Sequence, residues 1–285
     1  MLGAMKADLL ALAAIVLWGS LAPLGVQLAH IPPFLLTGLG LLVGSVIALP
    51  LARFRLARWK VPLRTLLVGI YGLFGFHFLL FMALRHAPAV EANLINYLWP
   101  LGMVVMAPLF LPGVALRGRH IAAALVGFAG AAIAILGRGG AGISGDGFHP
   151  GYLMALASAF VWASYSLLTR GLPAFPTAAV GGFAAASGAL SLLCHAVLEP
   201  AIALSAQDMV LIALLGLGPL GGAFFLWDAA IKIGDTRRIG LLAFATPILS
   251  TVMLLLTTGQ PLQWNVALAA VLVVGAAYWG SRPDS

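Results

Sequence analysis

Predominantly apolar runs follow one another along the whole chain, each about 20 residues long and so able to cross a hydrocarbon core of ~30 Å as a helix. The pattern predicts ten spans, at 8–28, 33–51, 62–85, 89–111, 119–137, 150–171, 176–198, 207–231, 236–257 and 263–280. Inside the fourth run the stretch ANLINYLWPL, residues 92–101, holds two asparagines, a tyrosine, a tryptophan and a proline. A helix facing only lipid gains nothing from these residues, because hydrocarbon offers no partner to their polar groups.

Helical spacing of about 100° per residue gathers such residues into stripes. Asn93, Asn96, Tyr97 and Pro100 fall on one arc, with Trp99 beside it. In the sixth run Ser158, Trp162, Tyr165, Ser166 and Thr169 share an arc; in the third, Phe74, His77, Phe78 and Phe81 do. In the first, Ser20, Pro23 and Gln27 share a face, and Trp18 points nearly opposite, as a packing residue does. Stripes of this kind face one another or a wet cavity. The plainer alternative is hydrogen bonding between helices and ordinary aromatic core packing. Flat rings beside neutral hydrogen-bonding groups on four spans predict a cavity for a ligand with an apolar ring and a polar end.

The pattern also repeats. FMALRHAPAVEANLINYLWPL (81–101) aligns without a gap with DAAIKIGDTRRIGLLAFATPI (228–248), an offset of 147 that pairs Arg85 with Lys232, Tyr97 with Phe244 and Pro100 with Pro247. WGS at 18–20 matches WAS at 162–164. The fold predicted is an all-α polytopic membrane protein of two five-helix copies, residues 1–143 and 144–285. An odd number of crossings per copy inserts the second upside down, with binding expected near the midplane where the copies meet. Proline within a helix removes a backbone hydrogen bond. The matched Pro100 and Pro247 are therefore candidate bends or gates, the simpler alternative being packing kinks.

Composition removes other classes. Only 8% of the residues are charged against 62% hydrophobic, where a soluble domain carries about 25% charged. The intervals between runs are too short to hold a soluble domain. The net charge of +7 does not indicate nucleic acid, because the basic residues are segregated. With a cytoplasmic N-terminus, Lys6, Arg53, Arg55, Arg58, Lys60, Arg64, Arg117, Arg119, Arg170, Lys232, Arg237, Arg238 and Arg282 fall inside, and Arg85 and Arg138 outside. This positive-inside bias predicts that both termini are cytoplasmic and that the basic loops meet anionic headgroups of the bilayer. The single Cys194 permits no internal disulfide. The first run lacks a clear cleavage site and is expected to be a retained helix.

Ionisable residues within the runs are few. His77 could bond a substrate carboxylate, relay a proton, or be a neutral imidazole bonded to a backbone carbonyl. Asp228, one turn before Lys232, suggests a local ion pair, and Glu91 suits the start of its helix. His195 and Glu199 fall near an outer boundary, where solvation is expected. No acidic residue sits at the centre of a span, so carboxylate-driven proton antiport has no evident carrier. GRGGAG (137–142) follows no strand and does not open a nucleotide-binding unit. GISG (142–145) has no histidine placed to activate Ser144. The spacings Gly40/Gly44 and Gly218/Gly222 indicate close helix packing. No metal-ligand spacing occurs, and no cofactor is expected.

Ten spans in two inverted copies, with LWGSLAPLG in the first and FMALRHAPAVEANLINYLWPL joining the third to the fourth, resemble the drug/metabolite transporter superfamily, the EamA-type branch most closely. The asparagine- and aromatic-rich fourth span is similar to that of bacterial aromatic amino-acid exporters in the branch. The resemblance implies export of small metabolites through the bacterial inner membrane by alternating access, with the cavity between the halves. The family pattern falls on residues 18–23, 77–88 and 93–100, with counterparts at 162–166 and 244–247. Asn93, Asn96 and Trp99 meet Gly240, Ala243 and Thr246 in the second copy, which implies an asymmetric cavity. On this reading Tyr97 and Trp99 enclose a substrate ring. Asn93 and Asn96 bond its amino or carboxylate group, with His77 assisting. A hydrophobic, above all aromatic, amino acid is the expected substrate and a monomer the simplest unit. A cationic drug or other metabolite is the alternative, and a passive pore or a membrane enzyme would be readings of another class.

Overall fold

The helices of this chain begin where proline permits. Pro33 and Pro150 occupy first-turn positions and Pro62 and Pro88 immediately precede helices, where a missing N–H costs nothing. The computed structural model describes residues 2–136, 148–259 and 264–280, and all regular structure among them is helical. GRGGAG, GISG and the boundary between the two expected copies lie outside the described residues.

Nine helical stretches among the described residues are long and apolar enough to cross a membrane: α1 (Gly3–Gln27), α2 (Pro33–Leu51), α3 (Leu63–His86), α4 (Ala89–Phe110), α5 (Gly118–Leu136), α6 (Pro150–Gly171), α7 (Thr177–Leu198), α8 (Ala206–Ile233) and α9 (Thr236–Thr258). A further apolar helix, α10 (Trp264–Gly280), is shorter, at 17 residues. The chain is an all-helical, multi-pass membrane protein.

Several helices are interrupted, and the interruptions keep step. A wide π-turn occupies Tyr71–Gly75 in α3 and Gly218–Gly222 in α8, 147 positions on. The helix of α4 stops at Asn96 and restarts at Trp99; that of α9 stops at Ala243, again 147 positions on, and restarts at Ala245. Proline accounts for three of these sites. Pro100, Pro247 and Pro219 have no N–H to give the carbonyls of Asn96, Ala243 and Leu215, four residues earlier. α1 breaks at Ser20, whose hydroxyl bonds the Leu17 carbonyl at 2.6 Å, whereas the corresponding α6 runs unbroken.

The most extensive helix pairings are α3 with α6, α2 with α7, α5 with α10, α1 with α8, α4 with α6 and α1 with α9; α2 also packs on α8, and α4 meets α9 over a smaller contact. One close crossing joins α2 to α8. A Cβ added at Gly44 would lie 2.7 Å from the Gly221 Cα and 2.8 Å from the Gly216 carbonyl oxygen. The expected Gly40/Gly44 contact is therefore present, but its partners are Gly216 and Gly221; a Cβ on Gly218 would meet nothing. The π-turn adds a residue to one turn of α8, so a plain four-residue spacing names the wrong pair.

His195 and Glu199 are not solvated as expected. The Glu199 side chain is fully buried and accepts hydrogen bonds from the Phe34 and Leu35 amides at 2.9 and 3.1 Å, capping the start of α2 from another part of the chain. Arg85 and His195, each 3.0 Å away, complete its shell. A carboxylate at a helix N-terminus satisfies orphan amides and matches the helix dipole, so burial rather than solvation is its stable arrangement here.

Between α8 and α9, Asp235 accepts from the Arg237 amide at 2.8 Å and pairs with its guanidinium at 2.9 Å. Burial pushes this carboxyl up, but the bonds and charge of Arg237 and the Arg238 amide outweigh it and hold the group below the usual carboxylate range. A depressed pKa stabilises the folded state above the unfolded value and ceases to do so as pH falls through the folded value. Asp235→Asn is accordingly expected to lower thermal stability slightly at neutral pH, with the gap to the parent closing in acid. A melting series against pH checks this.

Candidate functional site

The interruptions converge on one cavity of about 390 Å³. It lies between the second half of α1, the start of α2, the second half of α3, the first half of α4, the middle of α6 and α8, and the restart of α9, with Ile135 of α5 at its edge. Aromatic rings form much of its wall. Trp18 sits 5.8 Å from Trp162, 6.2 Å from Trp99 and 5.0 Å from Trp227, centroid to centroid. Phe224 packs against both Trp18 and Trp162, at 6.1 and 5.5 Å. Such offset and edge-on contacts among large rings make a stiff floor. Beyond that floor charged side chains tie the helices together: Arg238 to Asp8 at 2.6 Å, Asp228 of α8 to the Thr177 hydroxyl of α7 at 2.7 Å, and Arg170 of α6 to the carbonyls of Ile231 and Gly234.

Of the residues singled out in the sequence, His77, Phe81, Asn93, Asn96, Tyr97, Trp99, Trp162 and Pro247 line this cavity. Ser20 and Pro23 do not; the opposite face of α1, with Trp18, Leu21, Ala22 and Gly25, forms the wall instead. Phe74 and Phe78 stack on each other at 5.7 Å, and Phe78 continues to Phe34, forming a separate file beside the cavity. Tyr165 stacks on Trp162 at 5.3 Å, one layer behind the wall. Ser166 accepts from the Trp227 indole N–H at 3.1 Å and holds that ring in place. Phe244 is wholly buried against Gly127 in a second core shared by α4, α5, α9 and α10. Pro100 is buried behind Trp99, its carbonyl facing Gly240.

The sequence reading missed Phe76, Phe224, Thr37, Thr246 and Ser250 in the wall, and took Trp18 for packing. The repeat held a signal for two of them, since Phe224 occupies the position matched to His77, and Thr246 that matched to Trp99.

Among the described residues no Lys, Arg, Asp or Glu lines the cavity. Its polar groups are neutral and oriented. The Ser158 hydroxyl lies 2.8 Å from both the Asn96 side-chain oxygen and the Ala155 carbonyl oxygen, and ties the Asn96 amide to α6. His77 Nδ1 lies 2.6 Å from the Leu73 carbonyl oxygen, next to the π-turn. A carbonyl can only accept, so Nδ1 carries the hydrogen; in the neutral ring Nε2 is then an acceptor. A water-sized to amino-acid-sized space, stacked rings and neutral dipoles suit reversible binding of a small, partly apolar molecule.

A membrane-embedded cavity built on interrupted helices defines a membrane transport protein rather than an enzyme. The EamA-like transporter family model matches residues 5–136 and again 149–281. The chain belongs to this family. An aromatic amino acid exporter YddG from Ancylobacter novellus is 40% identical over 276 residues, covering 95% of this chain and 96% of that one. A probable amino-acid metabolite efflux pump from Salmonella typhimurium is 31% identical over 291 residues, covering 96% and 94%. The YddG exporter of Salmonella typhimurium is 27% identical, covering 94% of each. A solved crystal structure with 40% sequence identity superposes with a TM-score of 0.89 over 96% of this chain and 95% of that one.

Proposed function

We propose that this chain is a secondary transporter that exports hydrophobic amino acids, aromatic ones foremost, by alternating access between two inverted five-helix copies, residues 1–143 and 144–285. The observation that carries the reading is an uncharged cavity floored by tryptophans and reached by neutral donors and acceptors from both copies. The names of the relatives at 40% and 31% identity support amino-acid export.

Three observations favour inverted copies. The interruptions recur at a constant spacing of 147, and the family model matches the chain twice. The helix pairings, α1·α8 with α3·α6, and α2·α7, α4·α9 and α5·α10 each on its own, are those a two-fold axis in the membrane plane produces. α10 is then the tenth crossing: its 17 residues rise about 25 Å, enough with modest bilayer adjustment. The segregated basic residues, with ten crossings, favour a cytoplasmic side for both termini of a bacterial inner-membrane protein. In that orientation the cavity lies toward the outside, and the tryptophan floor and ion pairs close the cytoplasmic side. Pro100 and Pro247 mark the bends about which the helix halves move, and one chain supplies every wall, so the monomer is the working unit.

Counterflow in proteoliposomes tests the reading: unlabelled phenylalanine or tryptophan is loaded inside and labelled uptake is followed. The parent is expected to show saturable, trans-stimulated uptake. Trp99→Ala removes a ring that touches Trp18, Trp162 and Trp227 and is expected to lower uptake about tenfold. Asn96→Ala is expected to do so less, because Ser158 keeps the Ala155 carbonyl as its acceptor and only the amide at the wall is lost. Flux without saturation or trans-stimulation would instead make the protein a pore.

A further inference from the structure

An amino acid brings both a carboxylate and an ammonium into the membrane, and a cavity without charged walls must meet them with dipoles. With its Nδ1–H given to the Leu73 carbonyl, a neutral His77 presents Nε2 as an acceptor, which repels a carboxylate. The restart of α9 offers the opposite polarity. Thr246 and Ser250 stand one turn apart at the beginning of a 14-residue helix, Ala245–Thr258, and both line the cavity. They are 6% and 8% exposed. Ser45, Ser164, Thr169 and Thr251 each return a hydrogen bond to a carbonyl of their own helix. Ser250 makes no such bond, and its hydroxyl is not sealed from the cavity. The Thr246 hydroxyl is buried with no partner among the described residues, though its side chain forms the wall, so a turn about χ1 exchanges its methyl for its hydroxyl.

Two uncommitted O–H donors on the first turns of a helix, where the backbone dipole is positive, are suited to an anion. The pair exists in one copy only, since the positions matched to Thr246 and Ser250 are Trp99 and Met103. We propose that Ser250 and Thr246 form the subsite for the substrate carboxylate, leaving the rings of the first copy to receive the side chain. The inference rests on the amino-acid reading above. It makes the second copy the part that distinguishes an amino acid from the corresponding amine.

The test is counterflow of labelled phenylalanine with phenylalanine, phenylalaninamide and phenethylamine as competitors, for the parent, Ser250→Ala, Thr246→Val and Thr246→Ser. The parent is expected to respond to phenylalanine at concentrations about tenfold below those of the two compounds lacking a carboxylate, as loss of hydrogen bonds to a charged group implies. Ser250→Ala and Thr246→Val are expected to weaken phenylalanine about tenfold and leave the amide unchanged, while Thr246→Ser retains the parent profile. The acid-to-amide ratio within one variant does not depend on how much protein folds. Equal weakening of acid and amide, or no change in either, overturns the subsite and leaves amino-acid transport standing. Absence of phenylalanine counterflow by folded, inserted parent overturns the amino-acid reading and the subsite with it.

Discussion

Alanine in place of Gly44 is expected to lower stability by about 3 kcal/mol or more, and leucine to leave little folded protein. The added Cβ would lie 2.7 Å from the Gly221 Cα, 2.8 Å from the Gly216 carbonyl oxygen and 2.9 Å from the Leu220 carbonyl oxygen. Every one of these neighbours is backbone, so no side-chain rotamer relieves the clash. α2 and α8 would have to separate, and in lipid no hydrophobic effect draws them back, since close van der Waals contact is itself the attraction. The separation would also move Leu215 and Leu220, which line the cavity beside this crossing. Gly275→Ala serves as the control, because a Cβ there meets nothing within 4 Å. Helix propensity alone favours that change by up to about 1 kcal/mol. The fraction of monodisperse protein after heating in detergent separates the two variants.

Glu199→Ala is expected to cost about 3 kcal/mol, the scale for breaking a buried ion pair by removing one partner. Its carboxylate serves two amides, a guanidinium and an imidazole while wholly buried. Truncation would leave the start of α2 without its acceptors and His195 without a partner at that end. Glu199→Gln, which keeps one acceptor oxygen, is expected to recover part of the loss. Arg85→Ala is expected to do less damage than Glu199→Ala, since the Arg85 side chain is already 32% exposed and its removal leaves the amides capped. Melting curves of the three variants order these effects.

The long apolar runs made the helices legible, and proline made some boundaries sharp: the runs at 33–51 and 150–171 coincide with α2 and α6. The faces were less legible, because an apolar ring carries no polar mark to say which arc of a helix meets the cavity. Around Asn93, Asn96 and Tyr97 the polar arc pointed at the cavity. In α1 it did not: Trp18 stands opposite Ser20 and Pro23, as the angular step put it, and Trp18 with Leu21, Ala22 and Gly25 lines the cavity. Glu199 deceived for another reason: its partners, the first amides of α2, lie 165 and 164 residues away and carry no sequence signature. The break positions themselves were partly foreseeable from Pro100 and Pro247, whereas the π-turn at Tyr71–Gly75 contains no proline to announce it.

The tryptophan floor gives the molecule an optical property. Four of the seven tryptophans stand with neighbouring ring centroids 5.0 to 6.3 Å apart, close enough for their excited states to couple. Near-ultraviolet circular dichroism and emission from this group depend on the mutual distance and angle of the indoles. Any motion that parts α1 from α8 separates Trp18 from Trp227 and changes both signals. The protein therefore carries an intrinsic reporter at its centre, readable in a bilayer without a label, with Trp59, Trp264 and Trp279 as a background that single phenylalanine replacements can subtract.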